Sequence, residues 1–275
     1  MSLSLSAKDR KMYLARALKA ADWFTNVQIT HPKNWFGDNK RFPYYYNMKV
    51  KKKVPGLNWT HGRALFVLSD AYKITKDKRY LESATRGAHY IAALQVMDPH
   101  FKIAHGTIKE EIPAIWHSGI LDAAQAASGL IMLGKVGKEK EWLRRGKAFC
   151  DCMVRNYRKG VGLPNWIEIY PKEQARFNPP TKFGTIGYAS EIPLWHQYKL
   201  TGEKKYLNVV LNAADLILKA QRDDGGINFV RHLKDGKKWV GANHHWGFGE
   251  GKDRYLLRND DGIVVIVLAA YQATK

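Results

Sequence analysis

Ile74-Thr75-Lys76-Asp77-Lys78-Arg79-Tyr80-Leu81 decides the fold, because one apolar pattern ends there and another begins. Before it, residues 64–72 are apolar around most of a helical circumference. After it, Tyr80, Leu81, Ala84, Ala88 and Ile91 recur at helical spacing among Lys78, Glu82 and Arg86. A helix apolar nearly all round belongs among other helices, whereas one with a single apolar stripe lies on the outside. The stretch therefore reads as an inner helix, a tight turn and an outer helix.

The pattern repeats. Two further exits, Val136-Gly137-Lys138-Glu139 and Leu200-Thr201-Gly202-Glu203, have the same form. Four outer helices open alike, with Lys11-Met12-Tyr13-Leu14, Lys78-Arg79-Tyr80-Leu81, Lys140-Glu141-Trp142-Leu143 and Lys204-Lys205-Tyr206-Leu207. Eight residues after each lead aromatic stands a small side chain (Ala21, Ala88, Cys150, Ala214), and eleven after it a large apolar one (Phe24, Ile91, Met153, Ile217). The remaining inner helices are predicted over 120–133, 192–198 and 263–271. The expected architecture is all-α: a single domain over 1–275 made of four αα-hairpins, with tight turns at one end. At the other end the connections are long, over 27–58, 97–116, 158–186 and 222–257. Loops of that length are usually functional, and equivalent points of a repeat converge on one rim. The site is expected there.

Composition narrows the partner. Among 275 residues, 45% are hydrophobic and 12% aromatic, enough for a packed core and against disorder. Lys and Arg total 45 against 25 Asp and Glu, a formal net charge of +20. Such an excess points to an anionic partner: nucleic acid, an anionic surface or an acidic polysaccharide. Cys150 and Cys152 form no disulfide framework or zinc motif, and the ten His show no tight ligand spacing. No dinucleotide or phosphate-loop fingerprint is present, so neither a metal nor a cofactor is expected. Residues 1–7 lack an apolar core, so no signal peptide is visible, and the longest apolar run, 262–271, is too short for a bilayer. The expectation is a soluble protein of undetermined location, secreted or periplasmic if a leader has been removed.

Trp59-Thr60-His61-Gly62-Arg63-Ala64, followed by Asp70-Ala71-Tyr72 and the turn 75–81, resembles the α/α-toroid carbohydrate-active enzymes. These include toroidal polysaccharide lyases, six-hairpin glycosidases and the C-terminal domain of glucuronyl C5-epimerases. Ala220-Gln221-Arg222-Asp223-Asp224-Gly225-Gly226 is similar to the turns of toroid repeats in pectate lyases and terpenoid cyclases. Four units instead of six imply an incomplete (α/α) toroid. The Asp-rich motifs of the terpenoid enzymes are missing, Asn259-Asp260-Asp261 standing alone.

On the rim, the first connection carries Lys40, Arg41, Lys49, Lys51, Lys52 and Lys53 around Tyr44, Tyr45 and Tyr46. Cations interleaved with rings suit an anionic glycan, whose sugar faces stack on aromatics, and equally single-stranded nucleic acid. They also suit a solvated basic loop. The fourth connection holds Asn243-His244-His245-Trp246. Asn–His pairs resemble the residues with which alginate-type lyases neutralise a uronate carboxylate and remove its C5 proton; an imidazole is a workable base near neutral pH. The inner helices are expected to begin near Trp59 and His61, Trp116 and His117, Tyr188 and Glu191, and Asn259, Asp260 and Asp261. Thr60, Ser118, Ser190 and Asn259 there are also good helix caps.

Three functions are compatible with these residues. The first is a polysaccharide lyase, or a related uronyl epimerase, on a uronic-acid glycan. Asn243, His244 or His245, Tyr188 and His117 would be catalytic, with Arg41, Tyr45, Trp59, His61, Trp116, Trp246, Arg254 and Arg258 binding substrate. The second is a glycoside hydrolase using Glu191, Asp260 or Asp261 as paired carboxylates. The third is a non-catalytic repeat that binds anionic glycan or nucleic acid.

Overall fold

The structure, a computed structural model, describes residues 7–30, 39–111, 116–177, 181–182, 193–220, 230–231 and 271–273. The described residues form seven helices, α1 (Ala7–Val27), α2 (Asn58–Thr75), α3 (Lys78–Leu94), α4 (Ile120–Gly137), α5 (Lys140–Asn156), α6 (Trp195–Thr201) and α7 (Lys204–Ala220). Seven short strands accompany them: β1 (Pro43–Asn47), β2 (Lys52–Pro55), β3 (His117–Gly119), β4 (Trp166–Glu168), β5 (Gln174–Arg176), β6 (Thr181–Lys182) and β7 (Val230–Arg231). The predicted alternation holds: α1, α3, α5 and α7 are outer, and α2, α4 and α6 inner. The inner helix predicted over 263–271 lies outside the described residues except at its end, where 271–273 are helical.

Every tight turn closes the same way. Lys76 (φ 62), Lys138 (φ 58) and Gly202 (φ 71) take the left-handed conformation just past α2, α4 and α6. Each donates its backbone N–H to the carbonyl four residues back, of Tyr72, Gly134 and Tyr198, the usual way to satisfy the last helical carbonyls. Asp77 then caps α3, its Oδ1 accepting from Arg79 N at 2.9 Å.

The repeated lead aromatics form the junctions between units. Tyr80 OH donates to Asp22 Oδ1 and Tyr206 OH to Asp151 Oδ1, both at 2.8 Å, while Trp142 meets His89 edge-on at 5.1 Å. Asp22, His89 and Asp151 each stand nine residues beyond the preceding lead aromatic. Burial works against the charge on Asp151, but hydrogen bonds from Lys205, Lys147 and Tyr206 outweigh it and hold the carboxyl below the usual carboxylate range.

The inner layer is built on small side chains. Helix α2 packs on α3 and α4, and α4 on α5. A Cβ on Gly62 would collide with the backbone of Gln125, and one on Gly129 would lie 2.6 Å from Gly62 O. Only glycines let α2 and α4 approach this closely.

At the rim the connections have structure of their own. The first forms the β1–β2 hairpin, and the second folds back along α3, with Val96 N donating to Thr107 O (2.9 Å) and Lys109 N to Leu94 O (3.1 Å). Strands β3, β4 and β5 make a small antiparallel sheet. The expected side-chain caps Thr60 and Ser118 do not cap. Leu57 and Gly119 hold those positions, because α2 starts early enough to enclose Thr60 and residues 117–119 pair as a strand. Among the described residues no helix is long and apolar enough to cross a membrane.

Candidate active site

The first ends of α2 and α4 lie side by side, with residues 107–111 threaded between them. Asn58 binds this segment, its backbone N–H donating to Glu110 O and its Nδ2 to Lys109 O, both at 3.1 Å. Strand β3 then brings in the side chains. Ser118 turns inward, donating to Ile108 O at 2.6 Å and accepting from Thr107 Oγ1 at 2.7 Å. Alternation along the strand therefore sends His117 outward.

Around His117 three kinds of group meet. Glu110 Oε1 lies 3.8 Å from His117 Nε2, longer than a hydrogen bond. The same carboxylate fills the space where a Cβ on Gly119 would be, and Asp122 Oδ2 lies 3.5 Å from that point. Two carboxylates thus flank Gly119 at the start of α4. Beside them, Trp116 and Tyr170 are 54% and 64% exposed with ring centroids 5.3 Å apart, an open aromatic surface. Glu168, opposite His117 in the sheet, pairs with Arg176 at 2.8 Å. On the α2 side, Tyr44 meets Trp59 edge-on at 5.2 Å, and Arg63 lies over the Trp59 ring while donating to Gln125 Oε1 at 2.6 Å. An acid pair, an imidazole, guanidinium groups and sugar-sized rings share this mouth.

Two residues expected to bind substrate are held inside the fold. Arg41 is 1% exposed; its guanidinium donates to Gly56 O and Glu111 Oε1 and covers the Tyr90 ring. His61 is fully buried between Phe42 and Tyr90, accepting from Phe42 N at Nε2 (3.0 Å) and donating from Nδ1 to Leu57 O (2.8 Å). Burial pushes its pKa down to about 3; the Leu57 contact opposes this and the Arg41 charge adds to it. Both side chains join the first connection to the inner layer. Tyr45 lies in β1 opposite Val54. Trp59, Trp116 and His117 lie at the mouth. Tyr188, Glu191, Asn243, His244, His245, Trp246, Arg254, Arg258, Asp260 and Asp261 lie outside the described residues.

Glu110, Asp122 and Tyr170 were not singled out by the sequence reading. Glu110 has one sequence signal, its place in the long connection 97–116, but it lacks the helix-start position shared by the other candidates. Asp122 resembles any acidic residue in a first helical turn. Tyr170 reaches the mouth only through the pairing of β3 with β4.

No family model matches the chain, and no curated protein matches it. Solved structures do. A polysaccharide lyase aligns over 94% of this chain with a TM-score of 0.61 at 14% identity. Cellobiose 2-epimerase from Bacillus thermoamylovorans B4167 aligns over 85% with a TM-score of 0.64 at 12% identity. An unsaturated glucuronyl hydrolase of a Streptococcus aligns over 84% with a TM-score of 0.55 at 17% identity. The fold is the α/α toroid of carbohydrate-active enzymes. The toroid of this chain spans 66%, 61% and 51% of those three chains, and identities this low carry the fold alone. Within it the mouth is built by the first two hairpins and the β3–β4–β5 sheet. Among its described residues no group of three or more His, Cys, Asp or Glu is placed to hold a metal ion.

Proposed function

We propose that the chain is a polysaccharide lyase acting on an anionic, uronic-acid-containing glycan. The observation that supports this best is His117, an exposed imidazole beside the Trp116–Tyr170 surface at the mouth of a toroid. A formal charge of +20 favours a polyanionic substrate, and sugar rings stack on exposed aromatics. In this reading Asn243 with His244 or His245 neutralises the uronate carboxylate. Tyr188 or His117 takes the C5 proton; the C4–O bond breaks, a C4=C5 double bond forms, and a proton goes to the leaving oxygen. Trp59, Trp246, Arg254 and Arg258 bind neighbouring sugars. A uronyl epimerase would make the same abstraction and return the proton to the opposite face.

A second reading is favoured by one observation, the approach of Glu110 and Asp122 to Gly119. Two carboxylates on either side of a sugar are what a glycoside hydrolase needs. The test is a panel of uronic acid polymers, followed by ultraviolet absorbance. Rising absorbance from unsaturated products is expected, together with losses of about 10²-fold or more in turnover for Tyr188→Phe or His245→Ala. New reducing ends without absorbance, abolished by Glu110→Gln or Asp122→Asn, would replace the lyase with the hydrolase.

A further inference from the structure

The turn end of the hairpins repeats charge as well as shape. Three positions before the left-handed residue of each turn stands a lysine: Lys73, Lys135 and Lys199. Two positions after it stands another: Lys78, Lys140 and Lys204. Two of the left-handed residues, Lys76 and Lys138, are themselves lysines. All eight are exposed, and among the described residues none is in an ion pair. The carboxylates Asp77 and Glu203 between them are taken by Arg79 and by Lys147 and Lys205.

Helix formation does not explain most of these lysines. A cation in the last turn of an inner helix suits the negative end of its dipole, which accounts for Lys73, Lys135 and Lys199. Lys78, Lys140 and Lys204 are the first residues of α3, α5 and α7, where the dipole favours acidic side chains. Lys76 and Lys138 hold a positive φ that favours glycine, and the third turn has Gly202 there. Five of the eight thus sit where the helices themselves favour something else. The turns also lie side by side. A Cβ on Gly137 would lie 3.3 Å from Leu81, and Lys147 reaches Glu203 at 3.6 Å. Burial, and after it the charges of Lys135 and Lys199 from neighbouring units, lowers the pKa of His196.

An apolar position repeats among the lysines, two residues before each left-handed one. Ile74 is 59% exposed and Leu200 41%, with Val136 half-buried between them in sequence. Sugars stack on aromatic faces, but the rings here, Tyr72 and Trp195, are half-buried with Lys76 and Lys199 over them at 5.8 and 5.7 Å. Exposed aliphatic tips flanked by lysines match an anionic bilayer surface. There the apolar groups enter the headgroup boundary while the lysine stems reach out to the phosphates. We propose that the turn end of the toroid docks on an anionic lipid surface, with Ile74 and Leu200 at the contact and the lysines around them. The mouth, at the other end of the hairpins, then faces away from the lipid, whatever reaction it carries.

Co-sedimentation of the full chain with vesicles tests the proposal. One set holds equal parts phosphatidylserine and phosphatidylcholine, the other phosphatidylcholine alone. Binding is expected to the first and not to the second, and it falls with added salt. Replacing Lys78, Lys140 and Lys204 together by Ala is expected to weaken it about 100-fold, at roughly fivefold per lysine near an anionic surface. Ile74→Asn combined with Leu200→Asn is expected to weaken it about tenfold. Circular dichroism verifies the folding of both variants. Replacing Lys51, Lys52 and Lys53 by Ala removes the same charge at the rim and is expected to leave vesicle binding as in the parent. Absence of binding by the parent, or an equal loss in the rim variant, overturns the proposal. Binding unchanged in the Ile74 and Leu200 variant overturns it too, and polygalacturonate in place of the vesicles would then identify a face for a soluble polyanion.

Discussion

The two ends of the hairpins are made by opposite rules. At the turn end each unit repeats the last: a left-handed residue after the inner helix, then a lead aromatic seated on the previous unit. At the rim no described unit resembles another. The first connection is a β-hairpin, the second a loop folded along its own helix, and the third part of a three-stranded sheet. Sequence that repeats builds the frame, and sequence that does not repeat builds the rim, where the chemistry is proposed. Changes to the frame should therefore read out as stability, and changes at the rim as activity.

Four variants test that division, from the largest effect to the smallest. Gly62→Val drives a side chain into the backbone of Gln125 and is expected to cost more than about 4 kcal/mol, seen as loss of cooperative unfolding in urea. His117→Ala is expected to lower turnover about 10²-fold, while urea midpoints place its stability within about 0.5 kcal/mol of the parent. A large loss of stability there would break the comparison.

His61 marks the boundary, since it lies under the rim but serves the frame. His61→Leu leaves Phe42 N without its acceptor, at a cost of about 1–3 kcal/mol near neutral pH. The parent also gains a pH dependence from this residue. Its folded pKa of about 3 lies below the usual value of 6.5, so acidification protonates the unfolded chain first. The contribution of neutral His61 is complete above pH 6.5 and is lost as pH falls toward 3, by up to about 1.4 kcal/mol per pH unit. Urea titrations at pH 7 and pH 5 should show a smaller loss in His61→Leu than in the parent.

Lys51, Lys52 and Lys53 form the gentlest test. They lie on the β1–β2 hairpin, Lys51 and Lys52 exposed and Lys53 half-buried. Replacing all three by Ala should change stability by less than about 0.5 kcal/mol. Binding to an acidic glycan should weaken and lose part of its salt dependence, because exposed cations act through screened attraction.

The contrast also explains what the sequence could reveal. The lead aromatics and the exits at 76, 138 and 202 were legible because they recur, and recurrence separates a signal from a single coincidence. The rim has no second copy against which to check itself. His61 and Arg41 read as substrate groups because each is polar and close to a predicted helix start. What removes them from solvent is the path of the first connection, which sets Phe42 N against the imidazole and Gly56 O against the guanidinium. Glu110 needed the opposite knowledge, that Gly119 leaves it room. Such long-range approaches have no local periodicity to announce them.

The missing side chains at Gly62 and Gly129 have a further consequence. With backbones already in contact, α2 and α4 cannot close further, and their tight packing resists spreading. The aperture between their first turns is a fixed gauge, set by two hydrogen atoms in the frame instead of by any residue that would touch a ligand. On the proposed function, accommodation of wider or narrower glycans would come from Trp59, Arg63, Trp116 and Tyr170 swinging on that gauge. Such a site would change its selectivity one ring at a time, with the fold beneath left as it is.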